Sequence, residues 1–130
     1  AADLVGRKLG LDGGMVFENL MADIRAEGEM PPLEALGDAV EIAAATLRGA
    51  SHDDRLAASY PFLTMCSVLT AGWLMERQLN AATGDEPFLH LKRTAANYFL
   101  TVIVPEALGL AASVEAGAKL LYEVPAEALA

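Results

Sequence analysis

The sequence predicts an all-α fold, an up-and-down antiparallel bundle of about four long helices plus a short N-terminal helix. Three observations carry that expectation. Ala and Leu abound, while four Phe, three Tyr and one Trp are the only aromatic residues, a balance that favours helix over strand. The stretch 61–79 contains a run without charge from Phe62 to Met75. Its apolar residues Phe62, Leu63, Met65, Cys66, Val68, Leu69, Trp73, Leu74 and Met75 fall around the whole circumference of a helix, so the run is expected to be the buried central rod with a partner on every face. Finally, Gly and Pro punctuate the helical patterns at links of a few residues, which implies antiparallel neighbours. There is no internal repeat, low-complexity stretch or strand-like alternation.

Residues 1–9 place Leu4, Val5 and Leu9 at helical spacing, with Arg7 and Lys8 where cations suit the helix dipole, and Gly10 as a stop. Asp12 is the expected cap of a second helix of roughly 15 residues. In it Val16, Leu20 and Ile24 lie four apart, flanked by Phe17 and Met21, and the helix ends at Gly28. Pro31 pushes its predecessor out of the helical region and Pro32 fits a first turn. From Leu33 to Leu47 the pattern sets Leu36, Val40, Ala43, Ala44 and Leu47 inside, against Glu34, Asp38 and Glu41 outside, with Gly49 as the stop. Ser51, Asp53 and Asp54 are N-cap candidates, and Pro61 either starts the central helix or kinks it. The central helix runs to about Ala82 and Gly84 ends it. Asp85 and Glu86 before Pro87 mark the next start. The last long helix sets Phe88, Leu91, Ala95, Tyr98, Phe99 and Val102 inside and His90, Lys92, Arg93 and Asn97 outside. Pro105 is expected to bend it on the way to Gly117, and a short tail after Pro125 is expected to fray.

At 130 residues the chain suits one domain that buries enough surface to fold without a disulfide or metal. Hydrophobic residues are 54% and charged residues 21%, a globular composition. The net charge is −9, and eight carboxylates between Asp12 and Glu41 face one base, Arg25. Such a surface repels phosphates and anionic lipid, so neither nucleic acid nor a membrane is an expected partner. The uncharged run is too short to span a bilayer, and no basic leader opens the chain. A single cysteine, Cys66, fits a reducing compartment, and the expectation is a cytoplasmic protein. The first residue is Ala, which suggests a piece of something longer.

Candidate chemistry is sparse. Glu86 and His90 lie four apart like helical metal ligands, but a di-iron bundle needs two Glu-x-x-His motifs, and the only other histidine is His52. Cys66, set between Met65 and Val68, reads as an inert core residue and not as a nucleophile. Asp23 with Glu41 offers a proton-transfer pair, and Glu34, Asp38 and Glu41 an acidic stripe, for which a solvated helix face is the simpler reading. Arg77, Lys92 and Arg93 offer an anion site, set against surface pairing with Glu76 and Glu86. Trp73 beside Gly72 reads as core, with a partner contact as the alternative. Gly6, Gly13 and Gly14 do not follow a strand and read as punctuation. No catalytic, cofactor-binding or metal residue is assigned.

The opening Asp3-Leu4-Val5-Gly6-Arg7-Lys8-Leu9 with Asp12-Gly13-Gly14 resembles the segment of acyl-CoA dehydrogenases that follows their flavin-proximal loop. The stretch Tyr60-Pro61-Phe62-Leu63 through Ala71-Gly72-Trp73-Leu74, then Phe88, Lys92, Ala95-Ala96-Asn97-Tyr98-Phe99 and Val104-Pro105-Glu106-Ala107, is similar to an extra C-terminal helical domain of one branch, which includes enzymes resembling 3-methylmercaptopropionyl-CoA dehydrogenase. The resemblance implies that residues 1–10 end the dehydrogenase core and residues 11–130 form the extra domain. It further implies a parent flavoenzyme that binds FAD, removes an α-proton from an acyl-CoA thioester with a glutamate and passes the β-hydride to the flavin. The family's Tyr-Glu-Gly-Thr loop does not occur in residues 1–130. Accordingly the resemblance implies a non-catalytic structural or assembly domain, with no cofactor in this chain. Its partners would be the remainder of the dehydrogenase or a second subunit, and it would meet acyl-CoA only through the parent. The alternative is a free-standing helical interaction protein with an apolar-ligand cleft between the central and last helices.

Overall fold

The computed structural model describes residues 1–129, and these are all-helical or in links between helices. Helix α1 spans Ala2–Gly6, α2 Met15–Glu27, α3 Pro31–Gly49 and α4 His52–Ala81. The fourth long path is segmented into α5 (Pro87–Tyr98), a π-helical turn (Phe99–Ile103), α6 (Val104–Leu108) and α7 (Ala111–Glu115). Short 3₁₀ turns follow at Lys119–Tyr122 and Ala126–Leu129.

Contacts far apart in sequence fix the up-and-down order. Phe17 near the start of α2 stacks on Phe62 with centroids 6.3 Å apart, and Glu27 at its end meets Trp73, so α2 runs parallel to α4. Glu29, just before α3, donates its N–H to Glu76 near the end of α4, so α3 runs the opposite way. Ala118, beyond α7, donates its N–H to Asp54 in the first turn of α4, which sets the α5–α7 path antiparallel to α4 as well.

Local chemistry explains the boundaries. Met30 is extended at ψ 127° because Pro31 follows it, and Pro31 then opens α3 where a missing N–H costs nothing. The stripe Leu36, Val40, Ala43, Ala44 and Leu47 is buried as the spacing predicts, with Leu33 and Gly37 added. The expected cap of α2 is corrected: Asp12 sits at φ +51° in a 3₁₀ segment over Lys8–Gly14, and Gly14 at φ +96° precedes the helix. Two consecutive glycines make that left-handed path accessible. Val5 and Leu9 join the same core as α2–α4.

Pro61 neither starts nor ends a helix: α4 is one 30-residue helix from the Ser51 cap, and Pro61 lies inside it. Ser51 accepts from the Asp54 N–H and donates to the Asp54 carboxylate, a reciprocal cap that holds the extra turns before the proline. Pro105 is accommodated by the wide turn just before it, where Val104 donates to Phe99 O, five residues back. That register absorbs the missing donor at 105.

The central rod is the main correction. Only one stripe of α4 is fully buried, Ala58, Ser59, Phe62, Met65, Leu69, Gly72 and Glu76, at spacings of three and four. Leu63, Cys66, Val68, Trp73 and Met75 are half-buried and Leu74 is exposed. The stretch whose length and composition fit a membrane crossing is Pro87–Glu115, with a mean hydropathy of 1.4 over 18 residues, of which 22% are buried. The central run from Phe62 to Met75 is not that stretch.

Candidate functional site

The side chains that sequence reading singled out for chemistry are dispersed. Among the described residues no three His, Cys, Asp or Glu side chains group as metal ligands. Glu86 is the residue before α5 and His90 lies in its first turn, both exposed, while His52 opens α4. Glu41 pairs with Arg25 and not with Asp23: Arg25 donates to Glu41 at 2.6 and 2.9 Å and to Asp38 at 2.6 Å. That guanidinium holds the Glu41 carboxyl below its usual range, and the two acids hold Arg25 firmly protonated. The acidic stripe is thus partly an interhelical clamp between α2 and α3.

The three cations offered as an anion site each have a separate occupation. Arg93 donates to Ala82 O and Gly84 O, capping the end of α4. Arg77 lies 5.4 Å above the Trp73 ring and 3.4 Å from Glu27, and Lys92 lies 5.4 Å above Phe88. Trp73 is half-buried and donates its indole N–H to Glu27 at 2.9 Å. Trp73→Ala is therefore expected to cost about 1 to 2 kcal/mol, less than a fully buried ring would. Denaturant unfolding checks this, and a loss above about 3 kcal/mol would contradict the half-buried placement.

Cys66 lies on the outer side of α4, where burial pushes its thiol up to about 12. The expected core position is corrected to a half-buried one, off the buried stripe of α4. Glu76 is the polar group that the sequence reading underestimated. It is 4% exposed; one carboxylate oxygen accepts from Glu29 N and the other has no hydrogen-bond partner among the described residues. Glu76→Gln keeps the acceptor and removes the buried charge, so an increase in stability of about 1 kcal/mol is expected from chemical denaturation. A marked loss would show that the charge itself is needed.

Asp54 ties the end of the chain to α4. Its Oδ1 accepts from Ala118 N at 2.9 Å, and Gly117 at φ +62° is required beside it, because an added Cβ would come within 2.8 Å of that oxygen. Those bonds, Ala118 N–H first and Ser51 second, lower the Asp54 carboxyl below its ordinary 3.8. A depressed native value stabilises above the unfolded value and is lost as pH falls through the native one. The Ala118 amide resonance should therefore titrate with a midpoint below 3.8; a midpoint at or above it would contradict the contact.

What the molecule does present is surface. Helix α5 and the π turn after it face Leu89, Arg93, Ala96 and Leu100 toward the bundle, with Ala96 and Leu100 at 0% exposure. Phe88, Leu91, Ala95 and Tyr98, expected inside, face outward, with Phe88 63%, Leu91 64% and Tyr98 60% exposed. Between α4 and the α6–α7 end lies a shallow cleft of about 310 Å³ lined by Thr64, Val68, Ile103, Glu106, Ala107 and Leu110. A second open depression on α4 is lined by Leu63, Cys66, Ser67, Thr70, Ala71 and Leu74, with Leu4 of α1.

The family described as acetyl-CoA dehydrogenase C-terminal like matches residues 17–125, which run from the first turn of α2 through the Lys119–Tyr122 turn. The chain belongs to this family. As a C-terminal-like domain of acyl-CoA dehydrogenases it comprises the whole α2–α7 bundle, and the outward α5 stripe is part of the matched region. No curated protein and no solved structure matches the chain.

Proposed function

We propose that this chain is the non-catalytic structural and assembly domain at the C-terminal end of an FAD-dependent acyl-CoA dehydrogenase, of the branch that resembles 3-methylmercaptopropionyl-CoA dehydrogenase. The observation that carries the reading is the outward apolar stripe of α5 in a chain that belongs to the C-terminal-like family. Apolar surface of this kind marks a place where another protein surface packs. The enzyme would act in the cytoplasm on an acyl-CoA thioester. The flavin and the glutamate that takes the α-proton would lie on the enzyme body.

The donor set supports placing FAD elsewhere. A dinucleotide's pyrophosphate needs free cations or a glycine-rich nest at a helix start. Here Arg25 is committed to Asp38 and Glu41, and Arg93 to the carbonyls that end α4. These residues do not fit the cofactor. The test is direct: the isolated chain should neither retain FAD after gel filtration nor reduce an electron acceptor with acyl-CoA. Stoichiometric flavin, or turnover, would end this reading.

A second reading rests on the 310 Å³ cleft against Val68 and Leu110. In it the chain is a free-standing helical protein that takes an apolar ligand there. Saturable binding of a fatty acyl probe, abolished by Val68→Trp, would favour it over the assembly role.

A further inference from the structure

The exposed residues of α5 are spaced in a particular way. Phe88, Leu91, Ala95 and Tyr98 follow steps of three, four and three, the a and d positions of two heptads. His90, Thr94 and Asn97, which border the stripe, are polar and exposed, and Lys92, half-buried, sets its ammonium 5.4 Å over the Phe88 ring. The opposite face is already used, since Arg93, Ala96 and Leu100 are turned into the bundle. The result is a narrow seam rather than a broad apolar face, which is the pattern of a helix that pairs with one other helix. We propose that this seam is completed by the α5 of a second copy of the same chain, lying antiparallel.

Three features select that occupant. Antiparallel heptads mix a with d layers, and here such a pairing sets Phe88 against Tyr98 and Leu91 against Ala95, each twice about the twofold axis. Ring meets ring and large meets small, so every layer is filled. Charge permits the same face: the chain carries −9, with eight carboxylates between Asp12 and Glu41, whereas no carboxylate lies between Pro87 and Pro105, and of the two cations there Lys92 folds over Phe88 and Arg93 is held by Ala82 O and Gly84 O. Two copies approach along α5 without opposing acids. A bilayer is less suited, because a strict two-heptad seam is too narrow for an interfacial helix, which needs a wide apolar face. Lastly, burying Phe88, Leu91, Ala95, Tyr98 and their borders on both copies removes on the order of 1,000 Å² of accessible surface. That reaches the lower limit of a specific interface and predicts a reversible, concentration-dependent dimer.

The inference rests on the assembly role proposed above, but it is tested on the isolated chain without flavin or substrate, so its failure leaves that role standing. Sedimentation equilibrium of the full chain, in about 0.3 M salt to screen the net charge, should show the mass rising from 13.7 kDa toward twice that value with concentration. Leu91→Glu should remain monomeric while melting at the same temperature as the parent at high dilution. In a Cys66→Ser background, Leu91→Cys mixed with Ala95→Cys should give a heterodimeric disulfide on mild oxidation. A monomer up to about 1 mM, equal dimerisation by Leu91→Glu, or efficient disulfides within each single variant but none in the mixture would overturn the pairing. Binding of a monomeric chain to zwitterionic phosphatidylcholine vesicles, lost in Leu91→Glu, would also overturn it and assign the seam to lipid.

Discussion

Phe62→Ala is expected to destabilise the domain by about 3 to 5 kcal/mol, the largest loss for a single truncation of an aromatic side chain in this molecule. Phe62 is 0% exposed and lies on the buried stripe of α4 between Ala58 and Met65, both also at 0%. Its ring meets Phe17 of α2 at 6.3 Å and a 36° tilt, so the truncation removes an aromatic pair as well as leaving a cavity. Helices α2, α3 and α4 converge on this stripe, and no helix can move in without opening another contact. Urea unfolding monitored by circular dichroism measures the loss. The two single changes Phe62→Ala and Phe17→Ala should sum to more than the double variant costs, because the first already removes the pair. A loss below about 1.5 kcal/mol would mean that the core does not centre on Phe62.

The fold class was legible because helix formers, Gly and Pro stops and apolar spacing agree along most of the chain. Helix α3 is the clearest case: its apolar stripe and its acidic side are placed as the pattern requires. In α2 the core side falls on Phe17, Met21 and Ile24, while Val16 and Leu20, expected with them, are exposed. Two further faces were misread, for related reasons. In α5 the more hydrophobic stripe was read as the core side, yet the bundle takes the face with Leu89, Arg93, Ala96 and Leu100. Arg93 looks polar in sequence, but its guanidinium turns inward to the Ala82 and Gly84 carbonyls just past α4, a pairing that no local pattern reveals. In α4 the absence of charge was read as burial on all sides, whereas only one stripe is covered within the chain. Lack of charge reports that water is dispensable around a helix, and does not report which molecule displaces it.

The same distinction governs the site. Asp38, Glu41 and Arg25 were individually visible, but their clamp joins residues of two helices 13 and 16 positions apart and appears only in the fold. Glu76 was read as a surface partner for cations because it sits in the polar sequence Glu76-Arg77-Gln78. The α2–α3 link covers it instead, and the Glu29 N–H takes one of its oxygens. A surface such as the one proposed for α5 leaves a weaker sequence trace than a catalytic one. Its only trace was an apolar heptad stripe, which looks the same whether its partner lies in the same chain or in another.

Gly72→Val is the second large effect expected, roughly 3 kcal/mol or more, and it runs against helix propensity. Glycine inside a helix costs about 1 kcal/mol relative to alanine, so propensity alone predicts a gain on adding a side chain. Here a Cβ would lie 2.7 Å from a Leu33 methyl and 3.1 Å from a Val104 methyl. Leu33 belongs to α3 and Val104 to α6, and they are 1% and 0% exposed, so neither has free space to turn into. Alanine should therefore lose most of its propensity gain, and valine, with two further methyls and a restricted χ1, should force α3 and α6 apart. Gly49→Val is the control, since nothing lies within 4 Å of a Cβ there. If thermal melts put the two valine variants within about 0.5 kcal/mol of each other, α4 does not make its closest approach to α3 and α6 at Gly72. In that case the one-sided burial of α4, on which the open α4 face depends, would have to be redrawn.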